Sequence, residues 1–272
     1  YWLVIFDATG LFHFHERHCA HCLKKTLNKG SKEEKTIYYH NVLEAKLVLG
    51  EGLIISLGTE FIENEREDAE KNDCETRAFH RLASRLKQEY PRLPVCVLAD
   101  SLYASEPVFK KCKENKWHYL IRYKDGSIPS IAEEYHEIEG MGELQELERE
   151  IAGALFQWLT DLIITGRNAE EFAKAGRSRW EIENEGFNMQ KNIRYDIEHA
   201  NSLDYNGMKC HYLLTQIADI LLQLYENGNP GIEKAKGTKK NISSDLLKSF
   251  GKLLTEEDIF FIETRSYIIT SV

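Results

Sequence analysis

Short, densely apolar runs alternate with polar stretches along this chain, and the apolar positions follow two different periods. Trp2, Leu3, Val4, Ile5 and Phe6 form one unbroken run, which predicts a buried strand over residues 2–8 with Ala8-Thr9-Gly10 as the loop that follows. Residues 11–36 are rich in His, Cys and Lys and show little periodicity. Strands near 37–49 and 52–59, separated by Gly50-Glu51-Gly52, predict a hairpin beside the first strand. Residues 68–90 are highly charged, yet Ala78, Phe79, Leu82, Ala83 and Leu86 recur at helical spacing. Pro91 and Pro94 end that helix. A strand at 95–100 follows, then a helix from Ser105 to Asn115 with Pro107 in its first turn, then a strand at 117–123 closed by an Asp125-Gly126 turn.

Beyond that point the pattern changes. Residues 128–165 read as extended segments around a Gly140-Met141-Gly142 turn, with Ala154 to Thr165 as the clearest strand; the charged run 143–150 fits either a strand or a short helix. Asn168, followed by Glu170 and Glu171, is a helix start, and the helix runs to about 191. A more apolar helix spans Leu203 to Asn227 and stops at Gly228 and Pro230. Residues 231–250 read as a polar, Lys-rich loop, and 258–271 as a strand or a helix. The order of elements predicts an α/β fold, a mixed sheet flanked by helices.

At 272 residues, 42% hydrophobic and 29% charged, the chain has the composition of a globular protein with one large domain or two small ones. No apolar run approaches the roughly 18 residues that span a bilayer, so no membrane association is expected. The opening Tyr-Trp-Leu-Val-Ile-Phe has no basic flank and no initiator Met; it reads as the inside of a core strand, and the chain as a fragment of a longer protein. A formal net charge of -9 argues against a general polyanion-binding surface, so any nucleic-acid contact must be local or metal-assisted. The six cysteines are scattered, apart from Cys19 and Cys22, which suggests reduced thiols in a cytosol rather than a disulfide framework.

Three carboxylates stand out against this background. Asp7 and Asp100 each close an apolar strand, and strand ends in α/β sheets are where ligands commonly bind. On the helix 168–191, Ala169, Phe172, Ala173, Gly176, Trp180, Glu183 and Phe187 fall three or four apart, so Glu183 is expected to point inward with Trp180 and Phe187. A lone buried carboxylate is costly to ionise, and a hard divalent cation is the economical partner for three of them. Sharing two metals would need their carboxylates within about 4–8 Å of one another. The simpler readings are a turn-forming or capping Asp at each strand end and a Glu183–Arg179 pair one helical turn apart.

Phe6-Asp7-Ala8-Thr9-Gly10, Leu98-Ala99-Asp100-Ser101-Leu102-Tyr103-Ala104 and, above all, Arg177-Ser178-Arg179-Trp180-Glu181-Ile182-Glu183-Asn184-Glu185-Gly186-Phe187-Asn188 resemble the catalytic domain of a DDE transposase of the IS4-like superfamily. Further similarity lies at His40-Asn41-Val42-Leu43-Glu44-Ala45-Lys46 and Thr59-Glu60-Phe61-Ile62-Glu63-Asn64. The resemblance covers roughly residues 1–228. It implies a ribonuclease-H-like fold over 1–228, with 128–165 as a β-rich insertion before the Glu183 helix and 229–272 as a C-terminal tail. It also implies that Asp7, Asp100 and Glu183 bind magnesium, or manganese in its place, and cut phosphodiester bonds at transposon ends before joining the 3′-hydroxyl to target DNA. The partners it implies are double-stranded DNA and a second copy of the chain on that DNA, in the nucleoid of a bacterial cytoplasm. The family's helix motif has a Tyr, an Arg, the Glu and a Lys; Arg179 and Glu183 match it, whereas Gly176 holds the Tyr place and Gln190 the Lys place, with Lys191 next. Arg179 and Lys191 are the DNA-contact candidates, although a one-residue slip turns a side chain by about 100°.

His18, Cys19, His21 and Cys22 form a second candidate metal cluster, for a structural zinc; the alternative is a polar loop. His40 and Trp158 have functional readings, near the site and on an unpaired base, and the commoner structural ones. Three function classes follow: a transposase core, a nuclease of the same fold without strand transfer, and an inactive remnant serving as an interaction module. A glycoside hydrolase, which would use paired carboxylates, fits two strand ends and a helix poorly.

Overall fold

The structure, a computed structural model, describes residues 1–50, 52–123, 145–151, 154–202 and 204–228; for 145–151 and 154–155 it describes the backbone. The turns expected at Asp125-Gly126 and Gly140-Met141-Gly142, the extended segments up to 144 and the tail 229–272 lie outside the described residues.

Eight strands share one sheet: β1 (Trp2–Phe14), β2 (Leu23–Leu27), β3 (Lys35–Gly50), β4 (Leu53–Ile62), β5 (Val95–Ala99), β6 (His118–Tyr123), β7 (Gln145–Ile151) and β8 (Ala154–Thr160). β1 is antiparallel to β3 and parallel to β5, and β5 is parallel to β6. On the far edge of β3, β2 pairs with its first part and β4 with the rest. The hairpin turn needs positive φ at Gly50 and Gly52, 96° and 78°, which glycine adopts without a Cβ clash. The fold is therefore α/β, with the mixed sheet expected from the order of elements.

One expectation changes, and one alternative is settled. β1 does not stop at Asp7: Ala8, Thr9 and Gly10 pair with Leu43, Val42 and Asn41, because the long β3 supplies backbone partners as far as Phe14. The charged run ending at 150 resolves as strand β7, which pairs with β8, while β8 pairs antiparallel with β6. The described part of the 128–165 stretch thus continues the main sheet.

Alternate residues of the central strands feed opposite faces, as a period of two requires. Val4, Phe6, Leu43, Ala45, Val97 and Ala99 pack with helices α1 (Glu75–Glu89) and α2 (Glu106–Asn115). The five apolar positions of α1 named from sequence are all buried, and each Leu or Phe so placed contributes about 1.5–3 kcal/mol. Ile5, Cys96, Leu98 and Leu120 face the other way, toward α3 (Ala169–Ser178) and a π-helix (Ile182–Arg194). A further cluster joins Leu11 and Val42 to Met208 and Tyr212 of α4 (Tyr205–Gly228). The chain divides into two units, Tyr1–Ile220 and Leu221–Val272, and of the second only the end of α4 is described. Among the described residues, no helix is long and apolar enough to cross a membrane.

Candidate active site

Strand register brings the first two carboxylates together. β1 and β5 run parallel with Ile5 opposite Leu98. Two residues on from each lie Asp7, within β1, and Asp100, just past the end of β5, so both stand at the same level and on the face covered by α3 and the π-helix. Asp100 follows β5 directly, and its Oδ1 accepts a hydrogen bond from Leu102 N at 2.8 Å, capping the short turn Ser101–Tyr103. Asp7 accepts from Ala8 N at 3.0 Å.

Glu183 reaches this group through Arg179. The Arg179 Nη1 is 2.8 Å from Glu183 Oε1 and 3.5 Å from Asp7 Oδ2. The Arg179 side chain is only 9% exposed, so the cation is sealed in beside Asp7. Glu183 is different: its side chain is 53% exposed. The inward orientation expected for it, alongside Trp180, is corrected here, since Trp180 is exposed too. Arg179 and Ile182 take the buried face in their place. α3 ends at Ser178, and from Ile182 the chain winds as a π-helix, with Tyr195 N bonding to Gln190 O five residues back. The buried positions become Gly176, Arg179, Ile182, Gly186, Phe187 and Gln190. Most of these positions are also three or four apart, so the side-chain period alone admits two faces one residue out of step, and the packing of Arg179 and Ile182 selects between them.

Electrostatics tie the three together. Burial pushes the Asp7 carboxyl up to about 7, against the pull of Arg179, and Glu183 and Asp100 push the same way. Glu75, at the start of α1, is raised by burial and by Asp100. The carboxylate oxygens of Asp7, Asp100 and Glu183 do not all lie within 4.8 Å of one another; among the described residues only Cys19, Cys22 and His40 form so tight a group. A fit to a divalent cation rests instead on the donor set: three acidic groups supplying hard oxygen ligands, surplus negative charge that raises Asp7, and an arginine already standing between two of them.

Two residues beside this cluster escaped the sequence reading. Arg122 on β6 is held below its ordinary pKa by burial first and then by Arg179, while Asp100 and Glu183 oppose the shift. Its guanidinium lies 4.8 Å from the Phe156 ring centre, and its Nε is buried with no hydrogen-bond partner among the described residues. A lone Arg among Tyr119, Leu120 and Ile121 was the available signal. Glu44 stands opposite Asp7 on β3 and is wholly buried. Burial raises its pKa, and Ser56 and Thr59 hydroxyls donate to it at 2.6 and 2.5 Å. Next to it, buried Lys46 donates to Gln216 at 3.1 Å.

The remaining sequence candidates are placed as follows. Lys191 is paired with Glu198 at 2.6 Å. Gln190 is fully buried and donates to Gln216 and Asp219 at 3.0 and 2.8 Å, while Arg194 holds Asp219 at 2.8 Å. A Cβ at Gly176 would sit 2.5 Å from Trp158 Nε1, so the indole fills the space a tyrosine would need. Trp158 is 2% exposed, a core residue. Cys19 and Cys22 gather with His40 and without His18 or His21. His18 bonds to Glu67 and Glu16 O, and His21 bonds to Asn64 O at 2.9 Å and stacks on Tyr205.

Residues 2–219 match the family model described as "Transposase DDE domain". No curated protein matches the chain. Among solved structures, it is similar to a piggyBac transposase in a synaptic complex with hairpin DNA, at 9% identity and a TM-score of 0.51, over 83% of this chain and 47% of that one. The likeness is one of fold, and the chain spans about half the length of that transposase.

Proposed function

The chain belongs to the transposase DDE-domain family, and we propose that it is the catalytic core of a DNA transposase, acting on the phosphodiester bonds of double-stranded DNA at transposon ends. The observation that carries this reading is the convergence of Asp7, Asp100 and Glu183 beside the end of β5, with Arg179 between two of them.

Asp7, Asp100 and Glu183 would hold two magnesium ions, or manganese. Bound there, the ions supply Lewis-acid neutralisation of charge in an in-line attack on phosphorus, first by water and then by the freed 3′-hydroxyl on target DNA. The chain itself contributes position and charge. Asp7 is fixed on a paired strand and becomes a full ligand as it ionises near pH 7. Arg179 keeps two of the carboxylates aimed at one place while the metal is away. Arg122, whose charge is felt by Asp100 and Glu183, is a cation beside the cluster available to a phosphate oxygen. Action on two DNA ends would take two copies of the chain, in the bacterial nucleoid.

A labelled duplex carrying the element's terminal repeat, incubated with the protein and magnesium, is expected to be nicked, and Asp100→Asn is expected to abolish nicking. Joining of the nicked end to a second duplex separates a transposase from a nuclease of the same fold. Nicking that survives both Asp7→Asn and Asp100→Asn would remove the assignment.

A further inference from the structure

Away from the acidic cluster, three side chains from two separate segments meet. Cys19 and Cys22 lie in the connection between β1 and β2, and His40 lies on β3. Cys19 Sγ is 3.6 Å from Cys22 Sγ and 3.5 Å from His40 Nε2; Cys22 Sγ is 3.2 Å from the same nitrogen. Zinc bonds of about 2.3 Å to sulfur and about 2.0–2.1 Å to nitrogen, at tetrahedral angles, put ligand atoms about 3.8 Å apart for two sulfurs and about 3.5 Å apart for sulfur and nitrogen. The observed triangle has nearly those edges. Cys22 and His40 are buried, and Cys19 is half-buried.

The surroundings hold that triangle in place. Cys22 N donates to Cys19 O at 3.2 Å, and Cys19 N donates to Cys22 Sγ at 3.3 Å. The Asn64 side chain donates to Cys22 O at 2.8 Å, and its backbone N–H donates to His21 O at 3.1 Å. The segment just after β4 thus grips the Cys-x-x-Cys turn from outside, as outer hydrogen bonds do around metal ligands.

We propose that Cys19, Cys22 and His40 bind one zinc ion, which pins the β1–β2 connection to β3. Two sulfurs and an imidazole are soft donors that select zinc, whereas the all-oxygen acidic cluster selects magnesium, so the two sites do not compete for one ion. The site makes no use of the DNA-cleavage assignment.

The test is elemental analysis of the full chain, purified under reducing conditions after expression with zinc. About one zinc per chain is expected, as is a thiolate-to-cobalt charge-transfer band in the near ultraviolet when cobalt replaces it. Cys22→Ala and His40→Ala should each weaken zinc binding by more than about tenfold, the least that losing even a supporting hydrogen bond costs a metal site. Asp100→Asn should keep its zinc, which separates this site from the acidic one. The cobalt spectrum is read on the unaltered chain, so the result stands even where a variant fails to fold. Far less than one zinc per chain with no charge-transfer band, or a Cys19–Cys22 disulfide in the reduced preparation, would overturn the proposal.

Discussion

Arg179 lies 3.5 Å from Asp7 across 172 positions of chain, and the guanidinium nitrogen that faces Asp7 is the one bonded to Glu183. Two acidic residues thus share one cation, which leaves a surplus of negative charge around Asp7. A divalent ion ligated by Asp7 and Glu183 would compete with that guanidinium.

Removing the cation should expose that surplus. Arg179→Met leaves Asp7 beside Glu183 without its partner and is expected to cost about 2–4 kcal/mol, less than a fully buried pair would because Glu183 is half exposed. Magnesium should then raise the melting temperature of the variant more than that of the parent. Equal magnesium shifts in the two proteins would show that metal and guanidinium do not share a place.

Asp7 sets a pH dependence. Its carboxyl is raised from 3.8 to about 7, chiefly by burial, so the folded state holds the proton more tightly than the unfolded chain. This contribution to stability is complete below pH 3.8 and is lost as the pH climbs through about 7. Chemical denaturation of the metal-free protein between those limits should show that fall, and Asp7→Asn should flatten it. Magnesium affinity should rise over the same range, since the ligand is the ionised form. An unchanged slope in Asp7→Asn would assign the dependence to another group.

The Tyr missing from the family's helix motif is excluded by packing. Gly176→Ala places a methyl 2.5 Å from the Trp158 indole and is expected to destabilise by about 1–3 kcal/mol in thermal melts. Combining it with Trp158→Phe, which shortens the ring, should lose less than the two changes added separately. Strict additivity would mean that the two residues do not contend for one space.

Restoring the family's Lys at Gln190 should not restore a DNA contact. Gln190 is sealed among Gln216 and Asp219, and Lys46 also reaches Gln216. Gln190→Lys would bury a second ammonium there, so a lower melting temperature is expected with no gain in duplex affinity by fluorescence anisotropy. Tighter binding at full stability would show that the side chain escapes to the surface.

Sequence alone determined the elements whose signal is local. The α1 face Ala78, Phe79, Leu82, Ala83 and Leu86, the Gly50–Gly52 turn and the β5 run ending before Asp100 follow from side-chain period and backbone freedom, which neighbouring residues settle among themselves. The motif around Glu183 was legible as well, together with its departures at Gly176 and Gln190. Tertiary structure decided what depends on partners far away in the chain. β1 continues past Asp7 because β3 offers it hydrogen bonds; Glu183 turns outward because Arg179 and Ile182 take the buried face; and His40, not His18 or His21, joins Cys19 and Cys22. In each case the deciding interaction spans distant residues, and the one-dimensional pattern carries periodicity but not the pairing of strands or which of two neighbouring faces a helix buries.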